Sequence, residues 1–400
     1  MKQVEIPYGC YWSTPFARWQ GAFQHLNSVE FAAWQCRREI DRLSVDPASI
    51  DHGILGTTVI QHHSFYGLPW LTGLAGLGHV TGVTLSQACA TGVRAILAGA
   101  QEVATGLATT SLVITADRCS NGPHIYYPEP SGPGGTGTHE DWVMDNFSCD
   151  PLGRHSMVQT AENVALRRSI TREQQHEVVL LRQAQYQAAL ADDREFQKRY
   201  MSLPFEVPAR SLEKIQTTID GDEGIFTSTS EGLAKLRPVV KGGTVTFGGQ
   251  TYPADGNAGI VVTSPDRVAS LSKDNSIRIE LLGFGQARAK LAYMPEAPIP
   301  AAQKALTQAG VEIKDLAAVK THNPFAVNDI LFSSQTGFPI EKMNNYGCSL
   351  IWGHPQGPTG MRSIIELIEE LVRLGGGLGL FTGCAAGDSA MALVVKVSQK

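Results

Sequence analysis

Two stretches of this 400-residue sequence, far apart along the chain, resemble each other. Residues 91–96 read TGVRAI and residues 359–364 read TGMRSI, and each opens an amphipathic run followed by an apolar, strand-like segment. A second pair, residues 45–58 and 311–322, reads in both places as a helix end followed by a strand. Such self-similarity predicts a duplicated fold. Helices that alternate with apolar strands predict sheets covered by helices on both faces.

A stretch of different character separates the two copies. It holds a loop-rich Gly/Pro segment and a polar helical region from about 156 to 200. We interpret it as an insertion after the third strand of the first half, with TVTF (244–247) and AGIVVTSP (258–265) as strands that return to that half. The predicted organisation is an N-terminal half, a loop domain and a C-terminal half, with the bounds 1–118 plus 246–270, 119–245 and 271–400.

Composition excludes several classes of protein. The net charge is −5 and no basic run stands out, which argues against nucleic acid and anionic membranes as partners. No apolar stretch is long enough to span a membrane, and the first residues lack the apolar core of a signal peptide, so we expect a cytoplasmic enzyme. The seven cysteines form no CxxC pair, which argues against a disulfide framework and a structural metal site.

Cys89 lies where a predicted turn meets a helix, in VTGVTLSQACATGVRAI. A helix N-terminus presents free N–H groups and a partial positive charge, which lower the pKa of a thiol and favour the thiolate. Ala88, Ala90 and Gly92 are small and leave room for a substrate beside the sulfur. These residues alone leave two interpretations open, a nucleophile and a buried structural cysteine.

Two further reactive side chains lie in Gly-rich turns of the second half. His354, in YGCSLIWGHPQGPTG, precedes the helix that repeats the Cys89 region. It is either a base or oxyanion donor, or a polar surface residue. Cys384, in GLFTGCAAGDSAMALVVKV, lies at a predicted hairpin tip with exposed N–H groups, and is also open to a structural interpretation.

Three motifs resemble those of the thiolase family, in the family's order and spacing. SQACATG resembles the nucleophile motif, NYGCSLIWGHPQGPTGMR the Gly-His-Pro motif, and GLFTGCAAGDSAMALV the second-cysteine motif. TAENVA with TREQQHE, and SEGLAKLRPVV, resemble the start and end of the family's loop domain, so the likeness covers nearly the whole chain. It implies an α/β fold of duplicated βαβαβαββ halves in a five-layer α-β-α-β-α core, with an inserted loop domain for CoA binding and tetramer contacts.

The resemblance also implies a reaction, the cleavage of a 3-oxoacyl-CoA with CoA or the reverse Claisen condensation. Cys89 would carry the acyl group, His354 would activate it, and Cys384 would transfer protons. The backbone N–H groups of Cys89 and Ala386 would form one oxyanion hole, and His354 with His322 the other. CoA is then a substrate, and neither a prosthetic group nor a metal is implied.

The sequence departs from the family pattern before the Gly-His-Pro motif. Many thiolases carry Asn-Glu-Ala-Phe where this chain reads His322-Asn323-Pro324-Phe325. His322 therefore replaces the Asn that fixes an oxyanion-hole water. Its imidazole is expected to keep the chemistry, with direct donation as one route, and a packing histidine is the other interpretation.

Other departures lie around the expected CoA and acyl contacts. Met157 and Phe325 keep apolar positions there, Ser156 stands where many members have a histidine, and Thr251 where a family serine contacts CoA. The stretch 62–70 is unusually aromatic. We infer an unusual acyl group or altered subunit contacts.

Three alternatives remain. The enzyme acts with a small zinc-ribbon/OB-fold partner protein on an aromatic, benzoylsuccinyl-type substrate; it is a condensing synthase; or it is a non-catalytic acyl-CoA-binding subunit. Condensing synthases usually place a histidine where Cys384 stands, which favours a thiolase. The presence of Cys89, His354 and Cys384 together argues against a non-catalytic subunit. A homodimer or a dimer of dimers is the family expectation.

Overall fold

The first half of the chain forms the strands and helices that its apolar periodicity predicts. A computed structural model describes residues 3–400. Its first elements are β1 (Glu5–Ile6), β2 (Tyr11–Ser13), β3 (Ala17–Arg18), α1 (Ser28–Leu43), β4 (His52–Gly56), α2 (Gly67–Leu74), β5 (Thr81–Leu85), α3 (Thr91–Thr105) and β6 (Thr110–Arg118).

The insertion follows β6, and its two long helices begin at capping residues. Ser156 and Thr171 each accept a hydrogen bond from a backbone N–H of the first turn, which satisfies donors that have no partner within the helix. The elements are β7 (His124–Tyr127), β8 (Thr138–Asp141), α4 (Met144–Ser148), α5 (Met157–Arg168), α6 (Arg172–Lys198), β9 (Phe205–Pro208), β10 (Ile215–Ile219) and α7 (Ser230–Ala234). The chain then returns in β11 (Ala254–Thr263) and α8 (Val268–Leu271).

The second half repeats the order of the first, except that an isolated bridge between Val319 and Met343 stands where the first half has β5. Its elements are β12 (Ile277–Arg288), α9 (Pro298–Ala309), β13 (Leu316–His322), α10 (Ala326–Thr336), α11 (Ser349–Trp352), α12 (Gly357–Arg373), β14 (Gly376–Ala385) and β15 (Ser389–Gln399). The turn between β14 and β15 is the hairpin tip predicted around Cys384.

The duplication is visible in strand pairing. In the first half β4 runs parallel to β6, which is antiparallel to β11. In the second half β13 runs parallel to β14, which is antiparallel to β15. Strand β1 pairs antiparallel with both β11 and β12, so the sheet continues from one half into the other in the order β13-β14-β15-β12-β1-β11-β6-β4-β5.

Helices occupy three layers around the two halves of the sheet. Helices α3 and α12 contact each other and the inner faces, α1 and α2 cover the first half, and α9 and α10 cover the second. The central hydrophobic cluster includes Val93 and Ile96 of α3 with Ile364 and Ile365 of α12. The predicted five-layer duplicated fold is thereby confirmed.

One glycine sets how closely the two central helices approach. A Cβ added at Gly92 would lie 2.6 Å from the backbone nitrogen of Met361 and 2.7 Å from the carbonyl oxygen of Gly357. These contacts are with backbone atoms that cannot rotate away, so any larger residue forces the helices apart. Gly92 therefore brings the starts of α3 and α12 together.

The segment TVTF (244–247) does not form the strand that its sequence predicts. TVTF is not a strand: Phe247 begins a short 3₁₀ turn, and Thr246 forms only an isolated bridge with Pro238. Its alternating pattern does not suffice because no neighbouring strand runs beside it.

The domain bounds at 119–245 stay a prediction. Within residues 3–400, no helix is both long and apolar enough to cross a membrane.

Candidate active site

Cys89 lies in the tight turn between β5 and α3. Ala88 has a φ of +44°, which is uncommon outside glycine. Thr91 holds the turn, because its Oγ1 accepts the Gln87 N–H at 2.8 Å and donates to the Ala88 carbonyl at 2.7 Å. Cys89 is partly accessible, whereas the side chains behind it are buried. The turn presents the sulfur at the inner edge of the first half.

His354 lies in the equivalent turn of the second half, just before α12. Its backbone N–H donates to the Tyr252 carbonyl at 2.9 Å, and its Nδ1 lies 2.6 Å from Thr359 Oγ1. The side chain is only 5% exposed. Burial lowers the pKa of His354 to about 3, so its imidazole is neutral at physiological pH.

His322, at the end of β13, stacks on His354 with ring centroids 4.1 Å apart. Its Nδ1 lies 2.9 Å from Ser349 Oγ, and that hydroxyl also lies 3.0 Å from the Asn323 Oδ1 to which it donates. Burial, and secondarily the neighbouring His354, hold the pKa of His322 well below its usual range. His322 therefore lies directly beside His354, and its role as an oxyanion donor stays a prediction.

The hydrogen-bond network indicates which nitrogen of His322 carries the proton. The Asn323 amide is oriented because the Leu350 N–H donates to Oδ1 and Nδ2 donates to the Asp329 carboxylate. Since the Ser349 proton goes to Asn323, the Nδ1 of His322 is the donor to Ser349 and its Nε2 carries a lone pair. Turning the Ser349 hydroxyl toward Nδ1 allows the opposite tautomer at the expense of the bond to Asn323.

Three reactive atoms converge between the halves. The sulfur of Cys89 and one ring nitrogen each of His322 and His354 lie within 4.8 Å of one another. Both Nε2 atoms are buried and have no hydrogen-bond partner. A buried polar atom without a partner is uncommon in a native protein and is typical of a site that receives a ligand. The same three residues are the set within 3–400 whose spacing could hold a metal ion.

Cys384 completes the cluster from the end of β14. It is 1% exposed, and Asn328 Nδ2 donates to its sulfur at 3.4 Å. Burial raises the pKa of Cys384 above its usual range, and a negative charge on Cys89 raises it further. The Ala386 backbone interacts with Cys89 and lowers its pKa. The structure therefore brings the four predicted catalytic side chains and Ala386, the predicted oxyanion-hole residue, close together.

The electrostatic state of Cys89 differs from the sequence expectation. Burial raises the pKa of Cys89 to about 12, and this outweighs the lowering by the Ala386 and Cys89 backbone groups. Burial therefore opposes the lowering of the Cys89 pKa expected from a helix start, and helix α3 begins only at Thr91, two residues beyond the thiol. In the free protein, Cys89 and His354 are a neutral thiol and a neutral imidazole.

Two residues of the site were not predicted. Gln356 accepts a hydrogen bond from the Cys89 sulfur at 3.4 Å, although 267 positions separate them. Asp117, at the end of β6, accepts the Gly357 N–H at the start of α12 at 2.9 Å and the Thr58 N–H at 2.7 Å. Burial raises the pKa of Asp117 to about 6. The sequence signal for Asp117 is an acidic residue closing the apolar run SLVITAD.

Of the four residues predicted to contact CoA, two have apolar side chains packed beside Cys384 and two have hydroxyls bonded to the protein backbone. Met157 packs in the same hydrophobic cluster as Phe325 and Cys384. Thr251 donates through Oγ1 to the Ser349 carbonyl at 2.5 Å, and Ser156 caps α5 by accepting the Gln159 N–H at 3.3 Å. Met157 and Phe325 therefore border the reacting groups, while the hydroxyls of Thr251 and Ser156 have partners within the chain.

The aromatic stretch lies outside the reactive cluster. Phe65 is 95% exposed and Tyr66 is 67% exposed. His62 and His63 are exposed as well. These side chains belong to the surface beside β5, so none of them supplies a buried wall for an acyl group.

Family models match almost the whole chain. The model described as "Thiolase, N-terminal domain" matches residues 12–266, and "Thiolase, C-terminal domain" matches residues 276–397. The chain is 29% identical to an acetyl-CoA acetyltransferase of Allochromatium vinosum, covering 94% of this chain and 95% of the relative. It is 27% identical to the human mitochondrial 3-ketoacyl-CoA thiolase, covering 96% of each.

The fold is also similar to those of solved thiolase structures. The human mitochondrial 3-ketoacyl-CoA thiolase in complex with CoA superposes with a TM-score of 0.89 at 26% identity, over 99% of this chain and 98% of the other. The Bacillus anthracis acetyl-CoA acetyltransferase superposes with a TM-score of 0.90 at 26% identity, over 99% of both chains.

Proposed function

This chain belongs to the thiolase family and is an acyltransferase of thiolase type, and from that premise we propose that it transfers acyl groups through an acyl-Cys89 intermediate. The substrate is a 3-oxoacyl-CoA cleaved by CoA, or the reaction runs in reverse as a Claisen condensation. The observation that carries the proposal is the convergence of Cys89, His322 and His354 within 4.8 Å, with both Nε2 atoms free.

The first half-reaction begins with two neutral groups. The Cys89 thiol gives its proton to His354 Nε2, and the sulfur attacks the 3-oxo carbon. The tetrahedral oxyanion is held by the backbone N–H groups of Cys89 and Ala386. When the C2–C3 bond breaks, its electron pair forms a thioester enolate, whose oxygen accepts the His354 Nε2–H. Donation from His322 Nε2 requires the tautomer in which Ser349 turns its hydroxyl to Nδ1.

Cys384 closes the first half-reaction and opens the second. Its thiol protonates carbon 2 of the enolate, which releases acetyl-CoA or its homologue. The Cys384 thiolate then takes the proton of an incoming CoA thiol. The CoA sulfur attacks the acyl-Cys89 carbonyl, and the Cys89 sulfur leaves and recovers its proton from His354. We propose that Met157, Ser156, Thr251 and Phe325, with the segment 119–245, contact CoA.

The test is a CoA-dependent cleavage assay over acetoacetyl-, long-chain and aromatic 3-oxoacyl-CoAs. Cleavage that survives Cys89→Ser would contradict the mechanism. His322→Asn restores the residue that many thiolases carry, so substantial activity should remain. Complete loss in His322→Asn would contradict a simple exchange of oxyanion donors.

A partner-dependent variant of this function is a second candidate. The exposed aromatic side chains Phe65 and Tyr66 support it, since large exposed apolar side chains are typical of interaction surfaces. No cleavage of any substrate by the isolated protein, followed by cleavage with an added zinc-ribbon/OB-fold partner, would favour it. Cleavage by the isolated protein would contradict it.

We also propose a homodimer or dimer of dimers. Strand β5 ends the sheet, and its residue Val83 is 48% exposed, so one edge is free to pair. Light scattering after size exclusion measures the state, and a monomer at assay concentration would contradict this proposal.

A further inference from the structure

We infer that Asn328 is a further catalytic residue, which binds the sulfur of Cys384 and stabilises its thiolate between the two half-reactions. The inference deepens the proposed acyl transfer and rests on it, because Cys384 there gives a proton to the enolate and then takes one from CoA. Three observations carry it: the burial of the Asn328 amide, its single hydrogen bond, and the contacts that fix the start of α10.

The side-chain amide of Asn328 is buried and has one partner. Asn328 is 4% exposed, and its Nδ2 donates to the Cys384 sulfur at 3.4 Å. Its Oδ1 is buried without a hydrogen-bond partner. Among residues 3–400, the sulfur is therefore the one group that this side chain hydrogen-bonds. Burying an amide costs free energy that hydrogen bonds must offset, so packing alone does not account for an amide here.

The surroundings of Cys384 disfavour a thiolate. The sulfur lies in a buried apolar cluster that includes Phe325, Val327 and Leu331. Burial raises the pKa of Cys384, and negative charge on Cys89 and Asp388 raises it further, whereas the hydrogen bond from Asn328 lowers it. A hydrogen bond is electrostatically stronger in such a low-polarity environment than in water. Asn328 is thus the side chain whose contact favours the charged sulfur.

An amide suits both protonation states of a thiol. Its NH₂ group donates hydrogen bonds and its oxygen accepts them. While Cys384 is a thiol, a half-turn of the Asn328 amide about its Cβ–Cγ bond lets Oδ1 accept the S–H. Once the sulfur is a thiolate, Nδ2 donates to it. A leucine of the same branched shape offers neither bond, and an ionised carboxylate offers no donor.

The next residue along the chain fixes the position of this amide. Asn328 lies in the first turn of α10, which begins at Ala326. Asp329 is completely buried, and its carboxylate accepts hydrogen bonds from three elements: from Arg182 Nε at 2.8 Å, Thr321 Oγ1 at 2.7 Å and Asn323 Nδ2 at 2.7 Å. The start of α10 is therefore held on several sides, and the amide can turn without moving away from the sulfur.

The role of Asn328 follows from the two proton transfers at Cys384. In the first half-reaction the S–H bond breaks, its proton goes to carbon 2 of the enolate, and the Asn328 N–H donates to the thiolate that remains. In the second, the thiolate takes the S–H proton of CoA, and the amide turns back. Loss of the amide should slow both transfers. It should leave the activation of Cys89 by His354 unchanged, because Asn328 contacts neither group.

The variant Asn328→Leu tests this role in the second half-reaction. The acyl-Cys89 enzyme is isolated, mixed with CoA and followed by rapid quench and mass spectrometry. We expect acyl transfer to CoA to slow by about ten- to hundredfold, the size expected for a hydrogen bond to a charged group. Alkylation of Cys89 by iodoacetamide in the same variant is the internal control and should stay within about twofold of the wild-type rate. Circular dichroism establishes that the variant is folded.

The variant Asn328→Asp separates a catalytic role from a structural one. The introduced carboxyl group keeps the shape of the amide and donates an O–H while protonated, but repels the thiolate once it is ionised. Its rate of acyl transfer to CoA, divided by the wild-type rate, should therefore fall as pH rises from about 6 to about 9, since burial raises the pKa of a carboxyl group into this range. The same ratio for Asn328→Leu should not change with pH.

A measurement without substrate distinguishes this inference from the proposed function. Alkylation of Cys384 by iodoacetamide is followed in a Cys89→Ser background, so that a modified Cys89 does not block the site. Adding Asn328→Leu should slow this reaction by about tenfold or more at about pH 9. If the wild type transfers no acyl group, the proposed function fails, and the Cys384 alkylation rate alone supports or overturns the role of Asn328.

Two results would overturn the inference in an active enzyme. One is an unchanged rate of acyl transfer to CoA in Asn328→Leu. The other is a rate ratio for Asn328→Asp that does not vary with pH, because a side chain that only supports the fold has no reason to act through its protonation state.

Discussion

Helices α3 and α12 start from the same repeated motif but occupy different surroundings. Arg94 of TGVRAI and Arg362 of TGMRSI hold equivalent positions in the two copies. Arg94 is only partly buried and donates to the amide oxygens of Gln87, at 2.6 Å, and of Gln286. Arg362 is completely buried. The repeat therefore determines where the two helices begin, and something outside the repeat determines what surrounds them.

The insertion supplies the difference. Asp222, which lies in it, accepts two hydrogen bonds from Arg362 at 2.5 and 2.8 Å, and Glu366 accepts a third at 3.0 Å. The guanidinium carbon also lies 4.7 Å from the Phe16 ring and 4.5 Å from the Trp352 ring. Residues Gly357–Val372 of α12 are all buried. One helix of the pair is thus enclosed along nearly its whole length, with Arg362 and Glu366 paired inside it.

The largest expected effect concerns the start of α3. Cys89→Ser should lower kcat by at least about 10⁴-fold, because a hydroxyl in this setting is a far weaker nucleophile than a thiol. Steady-state cleavage assays measure this loss, and mass spectrometry should detect an acylated peptide in the wild type only. An acylated residue elsewhere would assign the nucleophile to another position.

The start of α12 should matter less to the rate. His354→Asn removes the base but leaves the nucleophile, and general-base catalysis contributes about 10²–10⁴-fold. The expected loss in kcat therefore lies in that range, with acylation as the affected step. Single-turnover kinetics measure it. A loss equal to that of Cys89→Ser would mean that the two helix starts act as one unit.

Replacing the buried arginine of α12 tests how much its charge network contributes to the free energy of unfolding. Arg362→Met leaves the buried Asp222 side chain without a cation and Glu366 with Lys320 alone, which should cost about 3–5 kcal/mol in the free energy of unfolding. Chemical denaturation followed by circular dichroism measures this. A cost under 1 kcal/mol (about the size expected for an exposed pair) would show that the buried network is weakly coupled to folding.

The pH dependence tests whether the two helix starts hold neutral groups. With the pKa of Cys89 raised to about 12 and that of His354 lowered to about 3, no imidazolium is present to stabilise a thiolate near neutrality. The thiolate fraction then rises about tenfold per pH unit below the Cys89 pKa. Alkylation of Cys89 by iodoacetamide should accelerate steadily between about pH 6 and about pH 9. A plateau at neutral pH would indicate a preformed thiolate–imidazolium pair.

The smallest effect is expected at the equivalent arginine of the first half. Arg94→Met removes hydrogen bonds that water can replace, so the cost should stay below about 1 kcal/mol. It serves as the matched control for Arg362→Met under the same denaturant conditions. An equal cost at both positions would remove the asymmetry between the two copies.

Local features of the fold were predictable from sequence. The turns at Cys89, His354 and Cys384 carry small residues, glycines and prolines that define where a helix or strand begins, and each of these signals lies within a few residues of the reactive side chain. The copies share their strand order because each half contains the same succession of apolar runs. The failed strand at TVTF shows the limit of this reasoning, since a strand also needs a neighbour to pair with.

Long-range partners were not predictable. Gln356 and Cys89 meet across 267 positions, and Arg362 and Asp222 across 140. No pattern in a single sequence connects residues at such distances. The effect of burial on the thiol was not predictable for a related reason: a helix start is visible in the sequence, whereas the burial that raises the pKa of Cys89 arises only when both halves have packed.

Strand β1 links the two halves of the sheet, which affects whether either half can fold alone. Its residue Glu5 pairs with Thr263 of β11 on one side, and Glu5 and Ile6 both pair with β12 on the other. Neither half therefore has a complete sheet edge or a complete core without the other, because the central cluster draws on both. Fragments cut between β11 and β12 should consequently reassemble when mixed, since each would supply the surface that the other needs to fold.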